Sequence, residues 1–128
     1  MVKLNVDVAF DIPNSLTGVG GVFRHANGTF LRGFQHSLPH AASIRHAELH
    51  VLIKGLEYAL SDHLVPLIVE TDCQELVYAI IGHSLDHSDL GFLISDLKQL
   101  LQQVDSAILC HVRREGNMVA YCHELPFS

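Results

Sequence analysis

The stretch Val2–Asp11, VKLNVDVAFD, constrains this chain more than any other. Leu4, Val6, Val8 and Phe10 alternate with Lys3, Asn5, Asp7 and Ala9, the period of two expected of a strand with unlike faces. Asp7 is the exception within an apolar run, because a carboxylate there is costly to bury unless a cation or a hydrogen-bond donor meets it. Glu48 and Asp72 lie in similarly apolar settings further on. The three together point to a site where strand, helix and strand converge on a divalent cation.

Pro13-Asn14-Ser15 marks a turn, and Asn27-Gly28 separates the extended runs Gly18–Arg24 and Phe30–Leu38. Asn-Gly in that position signals a hairpin with a type I′ turn, in which both central residues take positive φ. Three antiparallel strands therefore open the domain. Gly18, Gly20 and Gly21 resemble a fragment of a phosphate-binding loop. No helix follows them, and close backbone approach is the better account.

Ser43 is placed to cap a helix running to about Leu60. Its apolar residues form two stripes, one of Leu49, Leu52, Ile53, Leu56 and Leu60, the other of Ile44, Val51 and Gly55, and Glu48 falls into the second. Taken alone, Glu48 could equally reach solvent or pair with Arg45 or Lys54. Pro66–Thr71 reads as a strand with Asp72 at its end, a junction where α/β proteins place ligands and where an aspartate can also cap the next helix. That helix carries Leu76, Val77, Ile80 and Ile81. Asp89–Gln103 is a helix with an apolar stripe of Leu90, Leu93, Ile94, Leu97, Leu100 and Leu101. A last strand, Ala107–Val112, is followed by a charged loop, Arg113–Gly116, and by a short closing helix capped by Asn117 and ended by Pro126.

At 128 residues the chain is expected to be one domain, 1–128, with one site. Hydrophobic residues at 48% exclude disorder, and no apolar run approaches the ~18 residues of a membrane span, so a soluble protein without a signal peptide is expected. Three widely spaced cysteines, Cys73, Cys110 and Cys122, suit reduced thiols and an intracellular location, nuclear or cytoplasmic. A net charge of −6 with eight Lys and Arg argues against tight salt-driven nucleic-acid binding. Ten histidines invite a zinc reading, with His46 and His50 spaced i, i+4, but nothing completes a ligand set.

Right-handed crossovers put the fourth and fifth strands parallel to the first. That order, together with Val6-Asp7, Gly20-Gly21-Val22, Ala47-Glu48-Leu49, Glu70-Thr71-Asp72 and Arg114-Glu115-Gly116-Asn117-Met118-Val119-Ala120, closely resembles the reverse-transcriptase-like ribonuclease H (type 1) domains abundant in plants and related to retroelements. The resemblance implies an α/β ribonuclease H-like fold, with a five-stranded mixed sheet in order 3-2-1-4-5 and helices on both faces. It implies a metal-dependent endonuclease that hydrolyses the RNA strand of an RNA–DNA hybrid or related duplex, with Asp7, Glu48 and Asp72 holding Mg²⁺ or Mn²⁺. The family's fourth carboxylate is Tyr121 here, which weakens one metal site, and Glu124 stands one helical turn beyond. Arg113, Arg114 and Asn117 are candidate substrate contacts. With no basic extension, a partner or fused domain is left to supply affinity. The alternatives are an inactive nucleic-acid-binding module and a protein-interaction domain.

Overall fold

The computed structural model describes residues 1–11, 16–38, 43–81, 91–104, 107–113 and 118–125. The chain begins as a meander, β1 (Val2–Asp11), β2 (Leu16–His25) and β3 (Phe30–Ser37). The β2–β3 loop is Ala26-Asn27-Gly28-Thr29, with Gly28 N–H donating to the His25 carbonyl at 2.8 Å and Thr29 N–H to the Asn27 side chain at 3.0 Å. Only Gly28 takes positive φ there, at 96°, so this is not the two-residue type I′ turn expected. A register shift between Phe23 and Arg24 accommodates the longer loop.

Helix α1 (Ile44–Ser61) starts as expected, with the Ser43 hydroxyl accepting from His46 N–H at 3.1 Å. It ends at Asp62, after which His63 adopts left-handed φ of 56°. Strand β4 (Leu67–Thr71), helices α2 (Gln74–Ile81) and α3 (Gly91–Gln103), and strands β5 (Ala107–Arg113) and β6 (Met118–Leu125) complete the order. The start expected for α3, at Asp89, lies outside the described residues.

The sheet runs β3-β2-β1-β4-β5, as the sequence implies, with β4 parallel to both β1 and β5. A sixth strand, β6, then adds antiparallel to β5 where a closing helix was expected. Eight residues make a marginal helix in isolation, whereas as a strand Met118–Leu125 satisfies the backbone groups of the β5 edge. The cysteines also depart from expectation. Cys110, buried on β5, is disulfide-bonded, and its cross-strand neighbour is Cys122. Cys73 is the free thiol among the described residues.

Residues from both apolar stripes of α1 are buried, because the helix lies between the sheet and α3. Two glycines admit close neighbours. A Cβ on Gly21 would overlap the ring of its cross-strand partner Phe34 within the sheet, and one on Gly55 would lie 2.6 Å from Leu4 Cδ2, so Gly55 sets how closely α1 approaches the sheet. Leu4, Val19, Phe23, Leu67, Val69 and Leu109 form the sheet side of the core, and Leu49, Leu52, Leu56, Val77 and Leu97 the helix side. The opposite sheet face carries Lys3, Asn5, Asp7 and Arg24. Among the described residues no helix covers it, since the segment expected there is β6. No described helix is long and apolar enough to cross a membrane.

Candidate active site

Asp7 lies mid-strand on β1, exposed on the open face. Its carboxylate accepts from Val8 N–H at 2.9 Å, and its cross-strand neighbour is Gly20. Asp72 immediately follows β4, the parallel neighbour of β1, and is likewise exposed. The two carboxylates line one cleft of about 630 Å³, together with Asn5, Glu70, Arg24 and Arg113. A second, larger cleft on the same face passes over Gly18, Gly20, Gln35 and Ser37, and Asn5 and Asp7 line both. Asp7 thus stands where two depressions of the open face meet.

The Cys73 carbonyl accepts from Val77 N–H at 3.2 Å, making Cys73 the N-cap of α2, and Cys73 N–H donates to Thr71 Oγ1 at 3.2 Å. Glu48, half-buried on α1, does not line the cleft; the Cys73 thiol donates to its carboxylate. Burial first, and the Glu48 hydrogen bond second, push the Cys73 pKa up to about 11. The structure therefore brings Asp7 and Asp72 together and holds Glu48 against the residue next to Asp72. Among the described residues, no three His, Cys, Asp or Glu side chains are gathered closely enough to hold a metal ion.

Of the other residues singled out, Arg113 lines the cleft and is exposed, while Arg114 and Asn117 lie outside the described residues. Tyr121 pairs with His111 and Glu124 with Ile108 along β6. The one-turn relation between Tyr121 and Glu124 belongs to a helix and does not exist in a strand. Sequence reasoning missed Lys3, Asn5, Arg24 and Glu70. Asn5 Nδ2 donates to Glu70 Oε1 at 3.1 Å, linking β1 to β4 at the cleft floor. A signal for Lys3 and Asn5 was present, since both share the strand face of Asp7 at steps of two; Arg24 and Glu70 needed the register.

A mixed sheet in this order, with carboxylates at the junction of its two central parallel strands, defines a ribonuclease H-like fold. The same fold is found in RNase H1 from the halophilic archaeon Halobacterium salinarum NRC-1 (24% identity, TM-score 0.78, covering 91% of this chain and 88% of that one). The N-terminal RNase H domain of rv2228c from Mycobacterium tuberculosis is similar (24%, TM-score 0.77, 91% and 84%), as is LC11-RNase H1 in complex with an RNA/DNA hybrid (19%, TM-score 0.76, 91% and 88%). No curated protein matches. The model of the reverse transcriptase-like family matches residues 5–123, and the chain belongs to that family.

Proposed function

We propose that this protein hydrolyses the RNA strand of RNA–DNA hybrids in a divalent-metal-dependent reaction, with Asp7, Glu48 and Asp72 as its carboxylates. The observation that carries this reading is the shared cleft of Asp7 and Asp72, drawn from adjacent parallel strands of a ribonuclease H-like sheet. Their donor set is oxygen only, which suits Mg²⁺ or Mn²⁺. A bound divalent ion would supply charge stabilisation at the attacking and leaving oxygens. Asp7 and Asp72 would hold it from the cleft, and Glu48 would join them on release from the Cys73 thiol. The disulfide at Cys110 removes the reduced-thiol argument for an intracellular location.

The second reading is a binding module without catalysis. It is favoured by the absence of a three-ligand group among the described residues and by Tyr121 standing on β6. Titration of Mg²⁺ and of Mn²⁺ against an end-labelled hybrid separates the two. Metal-dependent cleavage that is lost in Asp7→Asn, with the circular dichroism spectrum unchanged, supports the enzyme. Binding without cleavage under every metal condition supports the module.

A further inference from the structure

We propose that Lys3 and Arg24, with Arg113, form a phosphodiester-binding surface that carries a nucleic-acid strand into the cleft of Asp7 and Asp72; this rests on the nucleic-acid reading above. Lys3 and Arg24 are direct cross-strand partners in the β1–β2 ladder. Like charges facing each other across a sheet are destabilising, so the pair is unfavourable in the free protein and gains from an anion laid across it. Neither residue has an ion-pair or side-chain hydrogen-bond partner among the described residues, and nor does Arg113, whereas Arg32 pairs with Asp62 and Lys54 with Glu57. The nearby Glu70 carboxylate accepts from Asn5 instead.

All three cations line the same cleft as the two aspartates. Lys3 precedes Asp7 by four residues on one extended strand, a separation on the order of 13 Å at about 3.3 Å per residue. A nucleic-acid backbone laid along β1 would therefore meet the cationic pair within a few nucleotides of the Asp7 end of the cleft. A chain with net charge −6 thus has a local cationic track beside its carboxylates.

The test is fluorescence anisotropy with a fluorescein-labelled RNA–DNA hybrid in EDTA, so that cleavage plays no part, across a series of KCl concentrations. Lys3→Gln and Arg24→Gln should each lower the slope of log K against log salt by about 0.9, and the double variant by about 1.8. Lys98→Gln on α3, away from the cleft, should leave the slope at the wild-type value. The double variant should melt no lower than wild type, since a like-charge pair is removed. An unchanged slope in the double variant, with wild type binding normally, overturns this assignment and leaves the nucleic-acid reading standing. Wild type that binds no hybrid at any salt concentration overturns both.

Discussion

Gly55→Ala tests the contact that seats α1 on the sheet, and with it the placement of Glu48 relative to Asp7. Two effects oppose each other. Alanine gains about 1 kcal/mol over glycine in a helix interior, but its methyl group would lie 2.6 Å from Leu4 Cδ2. Leu4 is fully buried, and overpacking of this kind costs about 1–3 kcal/mol. The net change should run from near zero to a loss of about 2 kcal/mol. Leu4→Ala alone should cost about 2–5 kcal/mol. In that background the methyl group added at position 55 enters vacated space, the clash disappears and only the helical gain remains. Gly55→Ala should therefore stabilise the Leu4→Ala protein, giving a coupling energy of about 1–3 kcal/mol. Urea denaturation of the four proteins by far-ultraviolet circular dichroism reads this directly, because the chain has no tryptophan. Additivity within about 0.5 kcal/mol would refute the contact, and with it the proposed seat of α1.

Three further outcomes are expected. His63→Gly should stabilise the fold by up to about 1 kcal/mol, because left-handed φ of 56° suits glycine; a loss in urea midpoint would show that the histidine side chain outweighs its backbone cost. Cys73, with its pKa raised to about 11, should hold about a hundredfold less thiolate than an ordinary cysteine near pH 8 and resist iodoacetamide until unfolded. By linkage, its contribution to stability should be complete below about pH 9 and be lost as pH rises toward about 11, an alkaline loss that Cys73→Ser should remove. The His50 pKa is lowered by burial first, then by Lys54, His46 and His36, with Glu57 opposing. Its neutral form therefore stabilises the fold above pH ~6.5, and that contribution should fall away as the medium is acidified; His50→Gln should flatten the acid limb of a stability–pH curve.

What could be read from the sequence was whatever local pattern decides. The alternation of Leu4, Val6 and Val8, the Ser43 cap and the Ile94–Leu97–Leu101 stripe each report a period or a capping chemistry contained within a few residues, and the structure follows them. Asn27-Gly28 marked the hairpin but not its loop length, because the register shift at Phe23/Arg24 depends on pairing along two whole strands. Met118–Leu125 escaped because eight residues bearing Val119, Tyr121 and Cys122 suit either element, and the open edge of β5 decides between them. The carboxylates were visible as polar residues in apolar company. The pairing of Lys3 with Arg24 was not, since only cross-strand register makes residues far apart in sequence face one another.

That same dependence on distant pairing governs when the protein becomes competent. The β1–β2–β3 meander joins near neighbours and can form while the rest of the chain is still being synthesised. Asn5 and Glu70, by contrast, are 65 residues apart, so the β1–β4 seam closes only after a long loop has paid its entropy. The Asp7 cleft has one wall before that closure and two after it, and Arg113 arrives later still. A nascent chain that already carries the folded meander therefore presents Asp7, Lys3 and Arg24 but lacks Asp72 and Arg113 on the other side of the cleft until β4 and β5 have been made.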